Sequence, residues 1–300
     1  MAIEFPEVPA ERAADTHDCP ASAEAALRRF LDRCSRLVVL TGAGCSTDSG
    51  VPAYRDAEGT WRQRRPIEHA EFVASEAGRR RYWARSHRGW PLMDRARPNA
   101  AHHWLAELQA AGRISCLVTQ NVDGLHQRAG SGDVVELHGS VHRVGCLDCG
   151  ARYSRAHVQR RLETLNPSLA AAQVDLSAPI RPDGDADVDP AFVQDLVVPD
   201  CERCGGVLKP DVVFFGDSVP RERVDAVQQA LERSDGLLVV GSSLMVFSGY
   251  RFCRAAAKLG LPMASITQGR TRADDLLDLR LRVAAAELAE RMRGCEAPAG

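Results

Sequence analysis

Residues 37–44 read Leu37-Val38-Val39-Leu40-Thr41-Gly42-Ala43-Gly44, a short apolar run rich in β-branched residues that ends in a glycine turn. No charged residue interrupts the run, so both faces are expected to be buried, as in an interior strand of a helix-covered parallel sheet. Just upstream, Leu27, Phe30, Leu31 and Cys34 recur at helical spacing and predict an amphipathic helix over 22–35. The same strand-then-polar-tip order returns twice. Ile114–Thr119 precedes Gln120-Asn121-Val122-Asp123, and Leu237–Val240 precedes Gly241-Ser242-Ser243. Helical patterns at Ala101–Ala111 and Arg221–Arg233 lie between the strands. Such alternation predicts an α/β fold, with a doubly wound parallel sheet and its ligand at the carboxyl ends of the strands.

Two stretches break this rhythm. Residues 57–98 are rich in Arg, Trp and Tyr without a strand pattern, and predict a loop followed by a helical insertion. Residues 141–205 contain two cysteine pairs and a polar Pro/Asp/Gly-rich middle, Pro179–Pro190, expected as a surface loop. Together they would build a smaller lobe over the sheet. The expected organisation is one domain over 21–295. Its Rossmann-like parts lie at about 25–56, 99–140 and 206–290, the helical insertion at about 57–98 and the metal-binding module at about 141–205. Residues 1–20, with Glu4, Glu7, Glu11, Asp15 and Asp18, are expected to be a disordered tail.

The chain has 300 residues, 45% hydrophobic and 26% charged, an ordinary soluble composition. A net charge of -2 leaves no basic footprint for nucleic acid. No apolar run approaches the roughly 20 residues that cross a bilayer. The acidic start lacks the basic and apolar regions of a secretory signal and the Arg-rich character of a transit peptide, so a cytoplasmic location is expected. A monomer is the default expectation.

Ten cysteines in such a chain do not suggest a disulfide framework. Cys146-x-x-Cys149 and Cys201-x-x-Cys204 instead have the spacing of a four-thiolate zinc site. Four thiolates fill a tetrahedral shell and leave no open position, so this zinc would be structural. A redox pair is the competing reading. Cys19, Cys34, Cys45, Cys116, Cys253 and Cys295 have no metal spacing and read as small core residues or bystanders. The turn Gly42-Ala43-Gly44 suits close approach of a pyrophosphate at a helix start, although Thr47 departs from the strict dinucleotide fingerprint and a plain tight turn is the alternative. Asn121 and Asp123 at a strand tip suit a polar ring amide. His138, followed by Gly139, is a candidate general base. His102, His103, His126 and His142 read as packed histidines.

Taken together, the segments GAGCSTDSGVPAYRD (42–56), TQNVDGLH (119–126), ELHGS (136–140), LKPDVVFFGD (208–217) and GSSLMVFSGY (241–250), with the two cysteine pairs, resemble the sirtuins. The STDSG…YRD form, RRRYWARS (79–86) and GSSLMVFSGYRF are most similar to class II, which includes the fourth mitochondrial sirtuin of animals and its bacterial relatives. The resemblance implies an NAD-dependent protein-lysine deacylase. NAD would contact Gly42, Ala43, Gly44, Ser46, Gln120, Asn121, Val122, Asp123, Gly241, Ser242 and Ser243, with Tyr54 shielding the ribose centre and Arg55 in the cofactor loop. The acyl-lysine oxygen would attack the ribose carbon as nicotinamide leaves. His138, with Asn121 as the second catalytic residue, would then deprotonate a ribose hydroxyl. The products would be free lysine, nicotinamide and O-acyl-ADP-ribose. Val213, Phe214, Phe215 and Gly216, with Val212, resemble the substrate strand, where a peptide would pair through its main chain. An ordinary core strand is the plain alternative.

Two departures affect nucleotide contacts. Thr267, Gln268 and Gly269 stand where the family commonly has a ribose-binding Asn, and Ala285 falls at its late cysteine. Tyr82 and Arg85 are similar to the pair with which desuccinylating sirtuins hold an acyl carboxylate. A solvated helix face is the alternative reading. Within the family, mono-ADP-ribosyl transfer is the rival activity. From other classes, the rivals are an NAD-dependent dehydrogenase with structural zinc and a non-catalytic zinc-ribbon module.

Overall fold

The computed structural model describes residues 14–53, 67–167, 184, 186, 188 and 193–294. Its large sheet contains β1 (Asp15–His17), β2 (Leu37–Thr41), β3 (Ile114–Thr119), β4 (Val135–Glu136), β8 (Gly236–Val240), β9 (Met263–Ile266) and β10 (Leu279–Leu281). The order is β1-β10-β9-β8-β2-β3-β4, and every neighbouring pair is parallel. From β2 the chain winds outward through β3 and β4, then returns to β8 on the other side of β2. The strand order therefore switches direction between β2 and β8, where an open α/β sheet leaves a crevice for ligand.

Strand alternation explains the double winding. Leu37 and Val39 of β2 face a core with Leu27 and Phe30 of α1 (Pro20–Arg33), Trp104 and Leu105 of α4 (Ala100–Ala110), and Leu288 of α9 (Ala285–Gly294). Val38 and Leu40 face the opposite core, with Val227 of α7 (Arg221–Glu232) and Phe252 of α8 (Phe247–Lys258). Helix α1 starts earlier than its apolar spacing indicated, because Pro20 sits in its first turn, where a missing N–H costs nothing.

The tail expected over 1–20 needs correction at its end. Asp15–His17 form an edge strand paired with Leu279–Leu281 of β10. Main-chain bonds hold it (Asp15 N to Asp278 O, 3.0 Å; Arg282 N to His17 O, 2.8 Å), so side-chain polarity was no obstacle. Residues 1–13 lie outside the described residues.

The smaller lobe joins α2 (His69–Ala74) and α3 (Glu76–Arg95) to a sheet ordered β6-β5-β7, with α6 (Arg155–Leu165) packed beside it. Here β5 (Gly139–Cys146) pairs antiparallel with both β6 (Arg152–Ser154) and β7 (Leu208–Val212). The lobe's sheet thus extends past the expected 141–205 at both ends. Phe72, Trp83, Met93, Val144, Leu162 and Leu208 share its core. Arg155 is 1% exposed there, between the rings of Trp83 (5.2 Å) and Trp90 (5.1 Å), and burial pushes its guanidinium down to about 10. Among the described residues, no helix is long and apolar enough to cross a membrane.

Candidate active site and metal centre

A cavity of about 880 Å³ opens at the switch point between β2 and β8. Its floor is two loops, Gly42-Ala43-Gly44 after β2 and Gly241-Ser242-Ser243 after β8. These loops touch each other. A Cβ on Gly42 would lie 2.7 Å from Ser242 Cβ, and one on Gly44 would lie 2.9 Å from the Gly241 carbonyl oxygen. The glycines are therefore required by the approach of the two loops. The helix start expected after the turn is instead a pair of short 3-10 turns, Ala43–Cys45 and Thr47–Ser49.

Gln120, Asn121, Val122 and Asp123, beyond β3, form the next wall. Gln120 Nε2 donates to Ser242 Oγ at 2.6 Å and ties the β3 loop to the β8 loop. Asn121 Nδ2 donates to the Gly42 carbonyl and to Ser46 Oγ, both at 3.0 Å. The Ser46 hydroxyl donates in turn to Asp123 Oδ2 at 2.7 Å, and Asp123 Oδ1 accepts from Leu125 N at 2.9 Å. Desolvation raises the Asp123 carboxyl above its ordinary value. Ser46, fully buried, does not line the cavity. It braces the two residues that do.

His138 follows β4 and faces the cavity. Gly139 after it has φ +82°, and any Cβ there would overlap the Asp211 carbonyl oxygen. The His-Gly pair is thus a turn fixed by the start of the small lobe. His138 Nδ1 lies 2.9 Å from the Gln120 carbonyl, which accepts its proton, and Ser248 Oγ lies 2.7 Å from Nε2. Burial pushes the ring down to about 4, with the nearby Arg223 charge adding to the shift. At neutral pH the ring is unprotonated, the state a general base needs.

On the opposite side, Val213, Phe214, Phe215 and Gly216 line the cavity. Strand β7 ends at Val212, so this segment is not the continuous strand expected. It is held by Val213 N to His138 O (2.9 Å) and by a single parallel bridge between Glu68 and Phe215. Thr267, Gln268 and Gly269 after β9, and Ala285 at the start of α9, complete the wall. Tyr82 and Arg85 are absent from it. Tyr82 is 8% exposed and packs behind Phe214, with ring centroids 5.2 Å apart. Tyr54 and Arg55 lie outside the described residues.

Sequence reasoning missed Ser248, Arg251 and Phe247, all on the wall. Ser248 lies within the quoted GSSLMVFSGY segment, but its reach to His138 is not a local signal. His126 and His142 were assigned to packing alone. His126 Nε2 meets Thr41 Oγ1 at 2.9 Å, and His142 Nε2 meets the Asp123 carbonyl at 2.9 Å, so both brace cavity loops.

The four cysteines converge as their spacing indicated. Cys146 Sγ and Cys204 Sγ are 3.6 Å apart, Cys149 Sγ and Cys201 Sγ 3.7 Å, and all four lie within 4.8 Å of one another. A tetrahedron with Zn–S bonds of about 2.3 Å has edges of about 3.8 Å, so the set fits one zinc ion and leaves no vacant corner. The Tyr153 hydroxyl, 3.2 Å from Cys201 Sγ, donates to that sulfur and lowers its thiol to about 6.

Comparison with known proteins places this geometry. The model of the Sir2 family matches residues 42–248. An NAD-dependent protein deacetylase of Bordetella bronchiseptica is 55% identical over 256 residues, 85% of this chain and 92% of its own length. The Bos taurus NAD-dependent protein lipoamidase sirtuin-4, mitochondrial, is 48% identical over 265 residues, covering 87% of this chain and 83% of its own. Among solved structures, a Sir2–p53 peptide–NAD+ complex superposes with TM-score 0.71 at 28% identity, over 90% of this chain and 96% of that one. A Sir2 homolog–NAD complex gives 0.69 at 28% identity, over 95% and 98%. Fold, cavity, cysteine cluster and the matched span agree, and the chain belongs to the Sir2 family.

Proposed function

We propose that this chain is an NAD-dependent protein-lysine deacylase. The observation that carries the reading is His138: an unprotonated imidazole, its Nδ1 proton fixed by a backbone carbonyl, turns Nε2 into the same cavity as Asn121, Asp123 and the two glycine loops. NAD, when bound, supplies a nicotinamide–ribose bond whose cleavage leaves a carbon open to an acyl oxygen.

Each wall has a task in this reading. The loops at 42–44 and 241–243 present main-chain groups to the pyrophosphate. Asp123, anchored by Ser46 and Leu125, accepts from the nicotinamide amide, and Asn121 is held beside it. Thr267 and Gln268 take the ribose contacts. His138 removes a proton from a ribose hydroxyl at Nε2, displacing the Ser248 hydroxyl. Val213 to Gly216 carry the peptide on main-chain hydrogen bonds, which explains why recognition would follow the acyl-lysine more than its neighbours. The zinc ion holds the small-lobe wall and takes no part in the chemistry. Closure of such a site stabilises a small lobe by on the order of 10 kcal/mol.

For acyl choice, Tyr82 and Arg85 remain the proposed carboxylate readers; both lie off the cavity wall, so this reading requires Phe214, which packs against Tyr82, to move aside for an acyl carboxylate. An acyl panel tests both levels. Peptides bearing acetyl-, succinyl-, glutaryl- and lipoyl-lysine are assayed for NAD-dependent nicotinamide release and free lysine, with His138→Ala as control. A deacylase releases nicotinamide in step with lysine, and His138→Ala loses roughly two orders of magnitude or more. Nicotinamide release without any acyl peptide, or full activity in His138→Ala, refutes the reading. A strong preference for acetyl refutes the carboxylate clamp.

A further inference from the structure

Behind the glycine turn, off the cavity wall, lies a second cluster of ligating side chains. Cys45, His102 and His126 are 0%, 0% and 1% exposed, and each offers a ligand atom within 4.8 Å of the other two. They come from three elements: the 3-10 turn after β2, α4, and the short helix α5 (Leu125–Arg128). The two imidazoles face one another, with centroids 4.8 Å apart.

Hydrogen bonds decide which nitrogen His126 turns inward. His126 Nε2 lies 2.9 Å from Thr41 Oγ1, whose own proton goes to Thr119 Oγ1 at 2.8 Å, so the ring donates from Nε2. Its Nδ1 is then a bare lone pair, buried and without a hydrogen-bond partner. His102 Nδ1 lies 3.1 Å from Asn99 Oδ1 and 3.3 Å from Asn99 N, so it donates to the side chain in one tautomer and accepts from the backbone N–H in the other. Its Nε2 has Ser46 Oγ at 3.4 Å, a hydroxyl whose proton is already committed to Asp123. An outer nitrogen anchored to a polar group and an inner nitrogen left bare is how proteins hold a metal-ligating imidazole; His126 already has that form, and His102 reaches it when its proton sits on Nδ1, facing Asn99 Oδ1. Desolvation keeps both rings neutral, the form that ligates. The third corner is a thiol.

We propose that Cys45, His102 and His126 form a second metal site, separate from the four-cysteine centre, that takes a thiophilic ion such as zinc. Ligand atoms about 2.0–2.3 Å from a zinc ion lie roughly 3.5–4 Å apart, so the observed cluster closes on an ion with shifts below about an ångström. As the metal–sulfur bond forms, the thiol S–H breaks and its proton leaves to solvent. The complex keeps one positive charge, next to Asp123; burial first, and the Asp123 charge after it, push the Cys45 thiol up, so in the absence of metal it is protonated. Drawing Cys45 inward moves the adjacent Ser46, and Ser46 holds Asn121 and Asp123. The site is therefore inhibitory, coupling free zinc to the shape of the cavity.

The test uses full-length protein with its four-cysteine centre filled, equilibrated against buffered free zinc. Wild type and Cys45→Ala are compared by metal count and by NAD turnover, with Cys45→Val as a second variant of closer volume should the first fail to fold. The wild type is expected to bind one zinc ion more per chain than the variant and to release one proton as it does so. Inhibition by zinc is expected to weaken at least tenfold in the variant, whose zinc-free rate stays close to wild type. Equal zinc counts in the two proteins across the titration overturn the site. Inhibition that is unchanged by Cys45→Ala overturns its coupling to the cavity.

Discussion

Ser248 Oγ sits 2.7 Å from His138 Nε2, on the far side of the ring from the Gln120 carbonyl that accepts the Nδ1 proton. A carbonyl only accepts, so Nε2 is the basic nitrogen and the Ser248 hydroxyl donates to it. That bond favours the neutral ring and adds to the depression caused by burial. Ser248→Ala should therefore raise the pKa of the base. For a hydrogen bond of about 1 kcal/mol, the low-pH limb of kcat/KM should move up by somewhat under one pH unit. Paired pH–rate profiles check this, and a limb that stays put or moves down contradicts it.

The limb itself has a predicted position. His138 is pushed from 6.5 to about 4, and it acts as a base only when unprotonated. Activity should be level with respect to this group at neutral pH and fall as pH drops through about 4 to 5. An inflection near 6.5 in kcat/KM would mean that the ring is more hydrated than its surroundings imply.

Ser46→Ala removes the one hydroxyl shared by Asn121 and Asp123. Leaving buried polar partners unpaired costs about 1–3 kcal/mol. A melting temperature lower by several degrees is expected, with a higher KM for NAD and a smaller change in kcat. Unaltered melting and KM would show that the network is dispensable.

Cys201→Ser opens one corner of the four-cysteine centre. The expected result is zinc loss together with loss of both stability and deacylation, because the metal holds β5 and β7 through their cysteine knuckles. Metal analysis, calorimetry and turnover on one preparation test the linkage. A zinc-free protein that melts and turns over like wild type would break it.

Gly241 and Gly260 have nearly the same φ, +64° and +69°, but different surroundings. A Cβ on Gly241 would overlap the Gly44–Cys45 backbone, whereas Gly260 faces open space. Gly260→Ala should cost only backbone strain, roughly 1–2 kcal/mol. Gly241→Ala should cost clearly more and impair NAD turnover. Denaturant melts of the two variants give the order, and equal losses would remove steric contact as the cause.

What was legible in the sequence followed from chemistry that is local. Leu37–Thr41 announces an interior strand because it is buried on both faces. The cysteine pairs announce their metal because ligand spacing is a short-range property. Asp15–His17 gave no signal, since an edge strand held by main-chain bonds places no demand on its side chains. The break after Val212 was also silent: Val213 still bonds the His138 carbonyl one step past the Gly139–Val212 pair, and Phe215 then pairs with Glu68 instead, a contact set by the lobe and not by its own neighbours. Ser248 meets His138 across a separation of 110 residues, and His102 meets His126 only because α4 and α5 flank the same strand ends. Such pairs exist only after folding.

Phe214 belongs to two neighbourhoods at once. It lines the cavity, and it packs edge-on against Phe72 (5.3 Å) and beside Tyr82 in the small-lobe core. The wall proposed to face the acyl group therefore inherits its shape from helices α2 and α3, while the floor proposed for the nucleotide is set by strand ends on the other lobe. Tolerance to change is divided accordingly. Lineages or laboratory selections that acquire new acyl preferences should do so through quiet repacking around Phe72 and Tyr82, leaving the glycine loops untouched.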